Sequence, residues 1–146
     1  MEKIMFDSGV RAYKLGNLGV IKFNPGDPNL YARFLEAADK IKIIEEELAQ
    51  QAQSLNAEDS GTAVVSLLRQ ADEKMKQTLN WVIGNDTDFD KLLGGVNLLA
   101  MGANGERVVT NLFEALQPVL LAGAQSCVKE QTKSAISRSK VRRNLK

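Results

Sequence analysis

Polar and apolar positions follow two different rhythms along this chain. Over the first 23 residues the apolar side chains come in short, roughly alternating runs, Ile4 to Phe6, Arg11 to Leu15 and Leu18 to Phe23, separated by Asp7-Ser8-Gly9 and by a Gly16-Asn17 turn. Alternation around such a turn predicts a β-hairpin. Two or three short strands do not persist alone in water, so this sheet is expected to dock on the helical part of the chain. From residue 28 onward the spacing changes to three and four, which is the helical period.

The switch between the two rhythms falls at Asn24-Pro25-Gly26-Asp27-Pro28. Pro25 and Gly26 end the strand, Asp27 occupies an N-cap position, and Pro28 stands at the first helical position, where its missing N–H is no loss. A helix is predicted from about Pro28 to about Gln53, with Leu30, Phe34, Ala37, Ala38, Ile41, Ile44 and Leu48 on one stripe. Lys40, Lys42, Glu45, Glu46 and Glu47 fall mainly off it, as a solvated face would. After a polar link around Asp59-Ser60-Gly61 the periodicity resumes through Val64, Val65, Leu68, Ala71, Met75, Leu79, Val82 and Ile83, and Gly84-Asn85 supply a stop signal. Two long helices joined so closely predict an antiparallel helical hairpin.

Beyond the hairpin the elements shorten. Asp86 to Asp90 cap a short helix through Phe89, Leu92 and Leu93, closed by Gly94-Gly95; a second short segment, Val96 to Met101, ends at Gly102-Ala103-Asn104-Gly105. Helical spacing returns from Glu106. Pro118 removes a backbone donor, so a kink or break is expected there, followed by an apolar helix over Val119 to Val128. The expected fold class is therefore α+β and mostly helical: a small N-terminal sheet (about residues 1–24) packed on an antiparallel helical hairpin, with shorter C-terminal helices, all in one domain over 1–132. From 133 to 146 the large apolar residues thin out, which predicts a basic, disordered or fold-on-binding tail.

Composition narrows the function classes. With 146 residues, 44% apolar and 25% charged, the chain fits one globular domain. No apolar run approaches the ~20 residues that cross a bilayer, and Lys3 and Asp7 do not frame a signal-peptide core, so a cytoplasmic protein without membrane contact is expected. Histidine is absent, and Cys127 is the single cysteine. That removes the side chain most used for proton transfer near neutral pH, and any intrachain disulfide or thiolate cluster. An enzyme is not expected, and neither is a cofactor or metal. The net charge of +1 conceals an asymmetry: Lys133, Arg138, Lys140, Arg142, Arg143 and Lys146 have no acidic neighbour after residue 132, leaving 13 basic against 18 acidic residues in the rest.

Motif by motif, the bland explanation is the stronger. The paired glycines at 94–95 and 102–105 follow no strand and precede no Gly-Lys-Ser/Thr, so they are turns rather than a phosphate cradle. Asp86, Asp88 and Asp90 start like a calcium loop, but Lys91 stands where glycine is needed and Asn97 where a glutamate is needed. Trp81 is expected to be a packing anchor. The basic tail lacks interleaved aromatics, so it would give nucleic acid only weak, salt-sensitive, sequence-blind attachment.

Phe6-Asp7-Ser8-Gly9, the run Phe23-Asn24-Pro25-Gly26-Asp27-Pro28 leading into Leu30-Tyr31-Ala32-Arg33-Phe34, the charged helical hairpin and Asn111-Leu112-Phe113-Glu114-Ala115-Leu116 resemble small proteins of tailed phages and prophages of Gram-positive bacteria. Those proteins look like siphophage tail assembly chaperones, and the outline covers about residues 1–132. The resemblance implies a non-catalytic protein of the bacterial host cytoplasm that binds the tape measure protein during tail morphogenesis. It would be displaced as tail tube protein polymerises, and would be absent from the mature virion. A homo-oligomer is compatible with coating a long partner. Candidate partner contacts are Tyr31, Phe34, Ile41, Phe113 and Leu116, with the six basic tail residues as a separate element. The alternatives are a structural head-tail connector or tail component, and a nucleic-acid-binding regulator using the tail.

Overall fold

The computed structural model describes residues 1–56, 58, 60–84 and 86–144. It is an α+β fold dominated by helices. Strands β1 (Arg11–Leu15) and β2 (Gly19–Phe23) form an antiparallel two-stranded sheet in which Arg11 pairs with Phe23 and Leu15 with Gly19. Ile21 and Phe23 turn inward and are buried, while Val20 and Lys22 between them face out, as a strand's two-residue period requires. Tyr13 stacks on Phe23 with ring centroids 4.4 Å apart. The expected strand over Ile4 to Phe6 does not form: this segment pairs with nothing in the sheet, and its side chains are exposed.

Helix α1 (Pro28–Gln53) has the expected bounds, and Asp27 caps it by accepting the Asn29 N–H at 2.9 Å. Helix α2 (Ser60–Ile83) returns antiparallel to it. Near the start of α1, Arg33 Nε donates to the carbonyl of Val82 at the end of α2. Gly84 then stops α2 at φ +68°, where a Cβ is unfavourable. Its expected companion in the stop signal, Asn85, and the capping candidate Asp59 lie outside the described residues.

Helix α3 (Phe89–Leu92) is a single turn whose N-cap, Asp88, accepts from the N–H groups of Asp90 and Lys91. It drives Phe89 into the centre of the core, where no part of the residue is exposed. The segment after it is irregular rather than helical. It is held by Val108 N–H to Ala100 O, Val109 N–H to Leu98 O and a lone bridge between Met101 and Arg107, and it buries Leu98 and Leu99.

Helix α4 (Val108–Asn144) is one unbroken element, so of the kink or break expected at Pro118 the break does not occur. The carbonyl that loses its partner there belongs to Glu114, an exposed residue, so water can satisfy it. The helix also runs on through the segment expected to be a disordered tail, as far as Asn144. After Gly123 no glycine or proline interrupts it, and lysine and arginine are good helix formers that suit a helix C-terminus. Phe113 of α4 meets Phe34 of α1 at 4.9 Å between ring centroids, and further along Gly123 lies against Pro25 and Gly26. A Cβ on Gly123 would sit 1.7 Å from the Pro25 carbonyl oxygen, so only glycine permits this approach. Helix α4 therefore runs antiparallel to α1 and leaves the body at the α1 N-terminal end.

Candidate functional site

Two constellations stand out on the helical hairpin: a buried ion cluster on one side of α2, and an open apolar groove on the outer face between α1 and α2. In the cluster, Asp72 and Lys76 stand one turn apart on α2, and Asp90 approaches from the first turn of α3. The Lys76 ammonium donates to Asp72 Oδ2 at 2.8 Å and to Asp90 Oδ1 at 2.7 Å. Asp72 Oδ1 accepts the backbone N–H of Leu98 at 2.8 Å. Lys76 and Asp72 are only 4% and 7% exposed, so the pair is desolvated and must be fully partnered.

Burial pulls the Lys76 pKa down, but hydrogen bonding and Coulombic attraction from the two carboxylates more than offset it and hold the ammonium above its ordinary 10.5. A lysine serving as base or nucleophile needs the opposite shift. The cluster is thus built to hold a charge in place. It fixes α3 and the 93–100 segment to α2, helped by Asn97 Nδ2 donating to the Leu68 carbonyl at 3.2 Å. A polar recess of about 660 Å³ borders it, lined by Arg69, Glu73, Gln77 and Asn80 among others. Among the described residues no group of three or more His, Cys, Asp or Glu side chains is placed to hold a metal ion.

The groove is lined by Lys40, Ile43, Ile44 and Glu47 of α1 and by Lys74, Gln77, Thr78 and Trp81 of α2, and holds about 470 Å³. Helical geometry explains its composition. The buried stripe of α1 passes through Leu30, Phe34, Ala37 and Ile41, and Ile43 lies about 200° around the helix from Ile41. Trp81 follows the same logic on α2, a step away from the inward Val82 and two from Leu79 and Ile83. Ile43 is 53% and Trp81 43% exposed, and both line the groove. The Lys40 ammonium lies 4.1 Å from the Trp81 ring centroid, and Glu36 lies 3.8 Å from the same ammonium, positioning it on the ring.

A third apolar feature is the N-terminal segment, where Ile4, Met5 and Phe6 are 91%, 83% and 79% exposed. Asn24 Nδ2 donates to the Ser8 carbonyl at 3.0 Å, anchoring the segment's end against the strand-to-helix turn.

The partner contacts expected from the sequence are placed differently. Phe34, Ile41 and Leu116 are buried in the core, and Tyr31 and Phe113 pack half-buried against it. The surface of Phe34, Ile41 and Leu116 is thus already spent on folding and does not present itself to a partner. Of the basic tail residues, Lys133 and Arg138 are exposed on α4. Lys140, Arg142 and Arg143 lie on its last turns, with side chains outside the described set, and Lys146 lies outside the described residues. Trp81 is a packing anchor only along one edge. Sequence reasoning missed both the groove and the ion cluster. The available signal was faint: Asp72 and Lys76 border the apolar stripe Ala71, Met75, Leu79, a pattern shared by any exposed i,i+4 ion pair.

Compared with protein-family models, curated proteins and solved structures, the chain matches none. No helix among the described residues is long and apolar enough to cross a membrane.

Proposed function

We propose that this chain is a non-catalytic holding protein, a phage tail assembly chaperone that keeps the helical tape measure protein soluble until the tail tube forms around it. The observation that carries this reading is the groove of Ile43, Ile44, Thr78 and Trp81 between two long antiparallel helices. An amphipathic helix laid into such a groove buries its apolar face on Ile43 and Trp81, while Lys40, Lys74 and Glu47 provide a charged rim. A tryptophan and an aliphatic residue lining one groove are the kind of anchor that dominates binding energy. The resemblance of the strand-to-helix junction and of the Asn111 segment to tail assembly chaperones supplies the identity of the partner.

The test is co-expression with the tape measure protein of a tailed phage or prophage that encodes this chain. The expected result is a soluble tape measure protein that co-purifies with the wild-type chain and is lost from a Trp81→Ala/Ile43→Asp variant that keeps its helical circular dichroism. A tape measure protein that precipitates while this chain stays free refutes the reading. Recovery of the chain from finished particles would replace it with a virion component.

A further inference from the structure

The two ends of the molecule carry opposite charge. Residues 43–68, which form the end of α1, the bend and the start of α2, contain Glu45, Glu46, Glu47, Glu58 and Asp59 and no basic residue. Residues 131–146 contain six basic residues and no acidic one. Because α4 leaves the body at the α1 N-terminal end, these two segments point in opposite directions.

The basic segment is also detached. The last buried residue of α4 is Leu120, and from Val128 every described side chain is exposed. The 21 residues from Ala124 to Asn144 make a helical arm about 31 Å long at 1.5 Å per residue. Helix α1 adds about 39 Å between the arm's root and the bend. A straight arm directed away from the bend cannot fold back onto it, and the separation far exceeds the ~8–10 Å over which exposed charges attract in physiological salt. The acidic bend of its own copy is therefore out of the arm's reach, while that of another copy is not.

We infer that the α4 arm of one copy docks on the acidic hairpin bend of a second copy, giving a head-to-tail contact. The match extends beyond charge. Val128 and Ile136 are 64% and 52% exposed and stand eight residues apart on one face of the arm, and the bend presents Val65 at 64%. Exposed Val128 and Ile136 on a net-basic arm thus meet exposed Val65 on a net-acidic bend. Such a contact is heterologous, so it propagates into a ring or an open filament rather than closing as a two-fold dimer. It uses none of the groove residues except that Glu47 borders both, and it stands whether or not the tape measure reading does.

Sedimentation velocity over a concentration series tests it. The wild-type chain is expected to self-associate at about 50 mM salt and to weaken at least about tenfold by 500 mM. A bend variant, Glu45→Lys/Glu46→Lys/Glu58→Lys, spares Glu47 and the groove and is expected to remain monomeric. A control that reverses the same number of exposed charges elsewhere, Asp39→Lys/Glu106→Lys/Glu114→Lys, is expected to associate like wild type. An arm variant, Lys133→Glu/Arg142→Glu/Arg143→Glu, which leaves the arm without net charge, is expected to be monomeric alone and to associate when mixed with the bend variant, since the intact arm of the bend variant then meets the intact bend of the arm variant. A wild-type chain that is monomeric at low salt overturns the inference, as does association unaffected by the bend reversal. So does a monomer whose arm instead binds a random-sequence DNA duplex in a manner lost on arm reversal, which would make nucleic acid the arm's ligand.

Discussion

Replacing Asp72 with alanine tests the energetics of the ion cluster. The carboxylate has two buried clients, the Lys76 ammonium at 2.8 Å and the Leu98 N–H at 2.8 Å. Breaking a buried ion pair from one side costs about 3–5 kcal/mol, and a buried N–H left without an acceptor about 1–3 kcal/mol. Asp90 keeps its 2.7 Å hydrogen bond to Lys76, but its side chain is 63% exposed, so it compensates only in part. The two losses also overlap because they arise from one deletion. Asp72→Ala should therefore cost about 3–4 kcal/mol, or a Tm lower by roughly 10 °C for a chain of this size. Asp72→Asn keeps an oxygen for Leu98 and removes only the charge, so about half that loss is expected. Chemical denaturation of the three proteins, compared by midpoint and slope, measures both. A loss below about 1 kcal/mol for Asp72→Ala would refute the reasoning, because that is the effect of an ordinary surface change. Equal losses for alanine and asparagine would remove the Leu98 N–H from the account.

The same cluster sets a pH dependence. Lys76 has a folded pKa raised above 10.5, so its contribution is fully present below 10.5 and is lost as pH rises through the folded value. Alkaline titration of stability should show this loss in wild type and not in Lys76→Met. Gly123→Val would drive a side chain into the Pro25 carbonyl from a rigid helix, and should lower stability by at least about 2 kcal/mol in urea denaturation; an unchanged midpoint would mean that α4 does not pack on the 24–28 turn. Phe89→Ala empties the centre of the core and should cost about 3–5 kcal/mol, whereas a small effect would show that α3 is not folded onto α2.

The fold was legible where local chemistry and periodicity agreed. Gly16-Asn17 between alternating runs marks the hairpin, and Asp27-Pro28 marks the α1 start so firmly that its bounds follow from the residues alone. It was less legible where the deciding fact lies elsewhere in space. Ile4 to Phe6 alternates like a strand but has no neighbour to pair with. The 133–144 segment lacks large apolar residues, which argues against packing, yet a helix already running through Leu120 extends through good formers without needing to nucleate again. Pro118 is tolerated because the face it disrupts is wet. The candidate site was least legible of all. The apolar stripe of α1 names Phe34 and Ile41 as the most hydrophobic positions, and hydrophobicity is what takes them into the core. A partner is left with Ile43 and Trp81, whose exposure depends on how α1 and α2 are rotated against one another, a tertiary quantity that no single helix's periodicity contains.

Trp81 is the chain's single tryptophan, which makes the groove directly observable. The most direct test of the holding role is to titrate helical segments of the tape measure protein into the chain while following Trp81 emission. Occupancy of the groove predicts a saturable blue shift that Ile43→Asp abolishes. Segments that bind, by calorimetry, without altering Trp81 emission would place the partner elsewhere on the surface, and segments that do not bind at all would contradict the proposed function itself.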